Sequence, residues 1–171
     1  MSVELFPIVD VRGKTIGSAP RSVCHDGRSR LLHPVVHLHI VSRDGSSVLL
    51  QRRSRNKDIQ PGKWDTSVGG HVDFGESVGV ALLREAREEL GIDASGAELL
   101  ESYIWESSRE REMVNIHILR ADPGELQLKV DPVEIDETRY WTIDEIRQAH
   151  GMNLLTPNFE KEFFERIIGR L

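Results

Sequence analysis

Three glutamates cluster near the end of one predicted helix. The segment from Gly70 to Ile92 reads GHVDFGESVGVALLREAREELGI and contains Glu85, Glu88 and Glu89. At about 100° per residue, their side chains fall within an arc of roughly 100° on one side of the helix. Clustered carboxylates are the ligands that a hard divalent cation such as Mg²⁺ or Mn²⁺ requires. The residue types and their spacing therefore favour metal-assisted chemistry.

This placement of negative charge disfavours the helix itself. Carboxylates in the last turns oppose the helix dipole at a cost of ~0.3 to 1 kcal/mol each. In the absence of a ligand, the glutamates would form a solvated face that Arg84 and Arg87 partly neutralise. The pair Gly69–Gly70 precedes the helix, and glycine lets a backbone approach a ligand closely. That neighbourhood favours a metal site over a solvated face.

The elements that position the glutamates have clear sequence signals. A helical period begins at Ser77, and Gly91 follows the last turn, as is typical just past a helix C-terminus. Before the helix, alternating apolar residues over 34–41 and 48–51 predict a hairpin with its turn at Arg43–Gly45. The helix is therefore expected to pack next to a sheet.

The rest of the chain continues this mixture of elements. Gly13 lies in the turn of another predicted hairpin, Thr142 and Glu145 are spaced as a capping box, and residues 158–171 carry apolar side chains at helical spacing. The remaining strand predictions are Glu98 to Trp105, Met113 to Leu119 and Gln127 to Val130. Strands on both sides of one central helix predict a mixed α/β domain of the α+β class.

The composition is that of an ordinary globular protein. With 171 residues, 39% of them hydrophobic and 29% charged, we expect one domain over residues 1–171. No apolar run approaches the ~20 residues of a membrane span, and the single cysteine, Cys24, fits a reducing compartment. We therefore expect a cytoplasmic protein with no membrane partner. The net charge of −6 argues against a nucleic-acid polymer as a partner.

The segment that starts at Gly70 resembles a complete Nudix box, the signature of hydrolases that act on nucleoside diphosphates linked to another moiety. Five residues separate Gly70 from Glu76, and seven more lead to Arg84. The run then continues as REAREELGI, with Ala86 and Ile92 at the two aliphatic positions. Every fixed position of the signature is filled, so this resemblance is specific.

The resemblance implies a fold as well as an activity. It implies an α/β/α sandwich with a mixed β-sheet, in which residues 70–92 form a loop–helix–loop. Residues 1–30 would form an N-terminal β-hairpin extension, and residues 142–171 would form the C-terminal helices. The partner would be a small-molecule diphosphate.

The resemblance also implies roles for individual residues. Arg84 would orient a glutamate through a salt bridge. The implied metal ligands are Glu85, Glu88, Glu89 and the carbonyl group of Gly69. The structural positions are Gly70, Glu76 and Gly91. With Mg²⁺ or Mn²⁺ neutralising the phosphate oxygens, water would attack a diphosphate phosphorus while a glutamate accepts the proton. Glu85 is the first choice for that base, and Glu112, outside the box, is the second.

The regions around the box resemble a subgroup related to isopentenyl diphosphate isomerase, a Nudix-fold enzyme that moves a double bond. The matching pieces are Cys24–His25, Leu32–His33, Arg52–Ser54, Lys57, Pro61–Trp64, Gly70–His71 and Glu110–Glu112. The resemblance implies a second metal site, which would be formed by His25, His33, His71, Glu110 and Glu112. It also implies that Arg53 and Lys57 grip the substrate diphosphate. His37, His39 and His117 are interpreted as strand histidines without an assigned partner.

Two departures separate this sequence from the isomerase. The catalytic cysteine of the isomerase precedes the Gly-His pair, where this chain has Gly69. The isomerase has a basic residue at the position of Glu85, whereas the box is intact here. We therefore predict that the box has the residues of a hydrolase, whereas the regions around it resemble the isomerase. The alternatives are an isopentenyl diphosphate isomerase-like enzyme and a non-catalytic domain that binds a nucleotide or metabolite. The residues leave open the substrate, the second metal site and a homodimer.

Overall fold

The computed structural model of the chain describes residues 3–171, so Met1 and Ser2 of the predicted N-terminal extension lie outside the described residues. The strands are β1 Leu5–Val9, β2 Thr15–Pro20, β3 Leu32–Val41, β4 Ser47–Arg53, β5 Trp64–Asp65, β6 Val68–His71, β7 Glu98–Glu106, β8 Arg111–Arg120 and β9 Ile135–Thr142. The helices are α1 Arg21–Cys24, α2 Val78–Leu90, α3 Ile143–Ala149 and α4 Pro157–Glu162.

Seven of these strands form one mixed sheet. Its order is β5-β4-β3-β8-β7, while β6 pairs with β3 and β9 pairs with β4. β3 and β8 run parallel, and the other pairs are antiparallel. β1 and β2 form a separate antiparallel hairpin, as the sequence predicts. β3 lies at the centre of the sheet and is the strand against which β6 positions the start of the box.

Helices cover both faces of the sheet. On one face, Leu38 and Ile40 of β3 pack with Leu82 of α2 in the first hydrophobic core. On the other face, Val35 of β3 packs with Phe163, which follows α4. Because successive side chains of a strand point to opposite faces, β3 serves both cores. The predicted α/β/α sandwich with a mixed sheet is confirmed.

The box helix, α2, has the predicted ends. The Ser77 side chain accepts a hydrogen bond from the backbone N–H of Val80, and Gly91 adopts a left-handed conformation with φ 66° at the C-terminus. The predicted capping box of α3 is also present, because Thr142 and Glu145 bond reciprocally. Across residues 3–171, no helix has both the length and the apolar character that a membrane crossing requires.

Two predicted elements differ from the structure. Residues 127–130 form no strand, because the backbone N–H of Lys129 donates to the Leu90 carbonyl at 2.8 Å, at the end of α2. The apolar alternation there reflects side chains that cover the core. The predicted helix over residues 158–171 is also interrupted: α4 ends at Glu162 and continues as a π-helical turn, Phe163–Ile167, and a 3₁₀ turn, Ile168–Arg170.

We expect two glycine substitutions in the region of α2 to have opposite effects. A Cβ on Gly91 would lie 2.8 Å from the Cβ of Lys129, and the positive φ of Gly91 disfavours any side chain. The substitution Gly91→Ala should therefore lower the free energy of unfolding by about 1 to 3 kcal/mol. Gly79→Ala meets nothing within 4 Å and should raise it by up to ~1 kcal/mol. Urea denaturation measures both, and equal effects would contradict this account of the helix end.

Candidate active site

Arg84 organises the box. Its Nε and Nη2 donate to the two oxygens of Glu76, each at 2.9 Å. Its Nη1 donates to Glu85 Oε1 at 2.8 Å and lies 3.4 Å from Glu88 Oε2. A further bond runs from Nη2 to the His71 carbonyl at 3.0 Å. One guanidinium group therefore connects the loop, the helix and strand β6, and these bonds raise the pKa of Arg84 while lowering that of Glu76.

Gly70 lets Glu85 lie directly against β6. A Cβ built on Gly70 would overlap the carboxyl group of Glu85. The neighbouring Gly69 differs, since a Cβ there would make only ordinary contacts, 3.6 Å from His37 Cδ2 at the nearest. The two glycines thus face opposite sides of the sheet, and only Gly70 is required for the approach of a carboxylate.

The remaining glutamates of the box differ in exposure. The Glu88 side chain is 60% exposed. Glu89 is half-buried and accepts a hydrogen bond from Gln51 Nε2 at 2.9 Å. Burial, with the charge of Glu85 as a smaller cause, raises the pKa of Glu89 to about 8. The carboxylates of Glu76, Glu85 and Glu88 outnumber the single positive charge of Arg84, and a bound divalent cation would also favour the charged form of Glu89.

A second cluster lies on the other face of the sheet, where three histidines meet Glu112. One donor atom from each of His25, His33, His71 and Glu112 lies within 4.8 Å of the others. His25 Nε2 is 3.2 Å from His71 Nε2, and Glu112 Oε1 is 3.6 Å from His71 Nε2. Glu110 stands beside the group, with Oε2 3.5 Å from His25 Nε2. The structure thus brings together the five residues that the isomerase resemblance implies.

The electrostatics of this cluster suit a metal of the transition series. Burial lowers the pKa of His25 and His71 to about 3 and also lowers that of His33, so all three are neutral nitrogen donors at pH 7. Nε2 of His33 is buried and has no hydrogen-bond partner among residues 3–171. Buried polar atoms are normally paired, and a metal ion would provide the missing partner.

Arg53 is the last residue of β4, Lys57 lies in the loop that follows, and both are engaged with carboxylates. Arg53 Nη1 is 3.4 Å from Asp65 Oδ2, and its Nε donates to the Ile59 carbonyl. Lys57 forms an ion pair with Glu134. Contact with a substrate phosphate would exchange these partners for the phosphate.

Several residues around the site have no sequence signal. Phe6 of β1 stacks on the His71 ring at 4.4 Å between centroids, so the N-terminal hairpin covers the histidine cluster. Gln51 binds Glu89 from β4. His37 and His39 lie on strand β3, as predicted, and the structure shows the partner that the sequence could not assign, because both contact Glu162. Only the fold brings these distant residues together.

Comparison with known proteins relates the chain to one family. The model of the NUDIX domain matches residues 31–166. A Nudix hydrolase of Clostridium acetobutylicum is 33% identical over 153 residues, which cover 80% of this chain and 73% of that protein. An isopentenyl-diphosphate Delta-isomerase of Paenarthrobacter aurescens is 37% identical over 99 residues, 58% of this chain and 53% of the relative. The chain spans about half or less of the length of several curated relatives that it matches.

A solved structure gives the same fold. The crystal structure of the protein DR0079 from Deinococcus radiodurans superposes with a TM-score of 0.78 at 22% identity and covers 95% of this chain and 99% of that one. At this identity the likeness concerns the fold alone. It extends beyond the residues of the family model to nearly the whole chain.

The two adjacent glycines of β6 should respond differently to a methyl group. Gly70→Ala forces the Glu85 carboxylate away from β6 and should lower the free energy of unfolding by about 1 to 3 kcal/mol. Gly69→Ala has room for its Cβ and should change it by no more than about 0.5 kcal/mol. Chemical denaturation of both variants measures the difference, and a Gly70→Ala protein as stable as Gly69→Ala would contradict the close contact.

Proposed function

The chain belongs to the Nudix family, and we propose that it is a Mg²⁺-dependent hydrolase. It would cleave a diphosphate linkage by attack of water on phosphorus. The substrate would be a nucleoside diphosphate derivative or a related small molecule. The observation that carries the proposal is the surplus of carboxylates around Arg84. Glu76, Glu85 and Glu88 all contact this one cation, so the site supports binding of a further positive charge.

The glutamates of the box would hold the metal ion and accept the proton of the attacking water. Glu85, Glu88, Glu89 and the Gly69 carbonyl would hold Mg²⁺ or Mn²⁺. When bound, the ion would neutralise phosphate oxygens and favour the nucleophilic form of water. Glu85 would accept the proton of the attacking water, since burial raises its pKa and Arg84 fixes its position. A carboxylate with a raised pKa is a better proton acceptor than an ordinary one.

Glu112 is a weaker candidate for the base. Its carboxylate lies with the histidine cluster, 3.6 Å from His71 and 3.9 Å from His33. We propose that Glu112 instead belongs to a second metal site with His25, His33, His71 and Glu110. Arg53 and Lys57 would contact the substrate phosphates after release from Asp65 and Glu134.

An isomerase is the competing function. Its support is the histidine cluster and the similarity to the Paenarthrobacter aurescens enzyme. Gly69 speaks against it, because glycine offers no thiol for proton transfer at that position. Proton exchange into isopentenyl diphosphate without release of diphosphate would favour the isomerase, whereas hydrolysis would favour our proposal.

Loss of one carboxylate of the box should remove activity. We expect Mg²⁺-dependent turnover of at least one compound among nucleoside triphosphates, nucleotide sugars, dinucleoside polyphosphates and prenyl diphosphates, and a fall of at least about 100-fold in Glu88→Gln. Glu88 is exposed, so this change should spare the fold. Glu165→Gln, an exposed change outside the site, is the control. Wild-type activity in Glu88→Gln, or no turnover of any compound, would count against hydrolysis.

The histidine cluster should bind a transition metal independently of the box. We expect Co²⁺ to bind with visible absorption bands typical of nitrogen ligation, and His71→Ala to weaken that binding by at least about tenfold. His150→Ala, an exposed histidine outside the cluster, should leave the affinity unchanged. Displacement of Co²⁺ by millimolar Mg²⁺ with loss of these bands would contradict a separate nitrogen site.

A further inference from the structure

The histidine cluster takes its side chains from two kinds of backbone. Three of them lie on strands β3, β6 and β8, so the sheet fixes their positions. His25 lies in the segment 25–31 between α1 and β3, which we call the histidine loop. Glu110 lies in residues 107–110 between β7 and β8, which we call the glutamate turn. Strands position side chains more precisely than loops do, so the two loop residues need a contact that holds them.

The histidine loop is bonded directly to the end of β7 and to the glutamate turn. Arg30 donates through Nη1 to the Ser107 carbonyl, and its Nη2 donates to Glu106 Oε2 at 3.3 Å. The backbone N–H of Gly27 donates to the Arg109 carbonyl at 3.0 Å. The two segments therefore form one unit beside the cluster, and Arg30 is the side chain that joins them.

Arg30 binds the residue that shapes the glutamate turn. The Ser107 hydroxyl accepts hydrogen bonds from the backbone N–H groups of Arg109 and Glu110, each at 3.2 Å. The backbone N–H of Ser107 donates in turn to the Glu110 carbonyl at 3.0 Å. Because Arg30 binds the carbonyl of this same serine, it holds the turn at the residue that fixes the backbone of Glu110.

The backbone of Arg30 has a rare conformation. Its φ of 52° lies in the left-handed region, which disfavours a residue with a Cβ. Such conformations persist only where the surrounding contacts impose them. The next residue, Leu31, accepts a hydrogen bond from His33 Nδ1 at 3.0 Å, which leaves His33 Nε2 free toward the cluster. A histidine that binds a metal normally donates its other nitrogen in this way. Arg30 thus lies between two contacts that orient ligands.

We propose that Arg30 is a positioning residue for the second metal site. It holds the histidine loop against the glutamate turn, so that His25 and Glu110 join the three ligands on the strands. The inference rests on the proposed function, to which this metal site belongs, but it does not require hydrolysis at the box. The Arg30 side chain is 37% exposed, and ion pairs at such exposure add little to stability. Stabilisation of the fold alone would therefore leave metal binding nearly unchanged when Arg30 is removed.

Binding of Co²⁺ tests the position of the loop ligands. We expect Arg30→Ala to weaken this binding by about tenfold or more, the usual effect of removing a residue that orients metal ligands. Fewer nitrogen ligands would then surround the ion, so the visible bands and the X-ray absorption spectrum should change. Arg28→Ala is the matched control and should bind as the wild type does. Arg28 is an exposed arginine of the same loop, and its side chain has no hydrogen bond or ion pair within residues 3–171.

A variant without the loop ligands separates positioning from general stabilisation. In His25→Ala/Glu110→Gln, Arg30 has no ligand left to position, so a further Arg30→Ala change should alter the remaining Co²⁺ affinity by less than about twofold. The same tenfold loss in both backgrounds would overturn the proposal. In the wild type, Co²⁺ should slow hydrogen exchange of the Gly27 amide, because coupling between the loop contact and the metal is reciprocal.

The outcomes separate this inference from hydrolysis at the box. Wild-type affinity and spectra in a folded Arg30→Ala protein would overturn it even if the enzyme hydrolyses substrate. A wild type that binds no Co²⁺ would overturn it too. An affinity that depends on Arg30 in a protein without turnover would support the inference and contradict hydrolysis. If Arg30→Ala fails to fold, exchange of the Gly27 amide in the wild type decides, and a rate that Co²⁺ leaves unchanged would overturn the inference.

Discussion

The site depends on how Arg84 holds carboxylates against strand β6. The guanidinium fork on Glu76 fixes the loop before α2, and the same group bonds to Glu85 and to the His71 carbonyl. Planar bidentate pairing of this kind gives geometric specificity that lysine lacks. Because α2 would otherwise end in repelling negative charges, the positions of Glu76, Glu85 and Glu88 depend on this one residue.

Strand β6 carries residues of the candidate site on both faces of the sheet. The period of two in a strand sends Gly70 toward Glu85 and α2, while Gly69 and His71 face the opposite side. There, His71 meets the histidine cluster under Phe6, and Gly69 leaves space beside His37. Three residues of β6 thus serve the carboxylate site, the nitrogen-rich site and the buried pair of His37 and Glu162. The residues of the box that face α2 are therefore only one part of the site, because Gly69 and His71 face the opposite side of the sheet.

The sequence predicted well what local patterns encode. The ends of α2, the capping box at Thr142 and the layers of the sandwich follow from period, turn residues and a specific motif. The prediction of a strand over residues 127–130 was wrong. An irregular segment whose apolar side chains cover a core shows the same alternation of apolar residues as a strand. The partnership of His37 with Glu162 joins residues 125 positions apart. No local pattern contains such a contact, so only the fold could reveal it.

Metal-dependent hydrolysis at phosphorus would place one oxygen atom from water in the products, so transfer of an oxygen isotope from water is the decisive measurement. Turnover of the diphosphate panel in H₂¹⁸O with Mg²⁺ can be followed by ³¹P NMR and mass spectrometry. We expect phosphate-containing products in which one new oxygen is ¹⁸O, and no such products without the divalent ion. Unlabelled products, or a rearranged substrate that keeps its diphosphate intact, would contradict it.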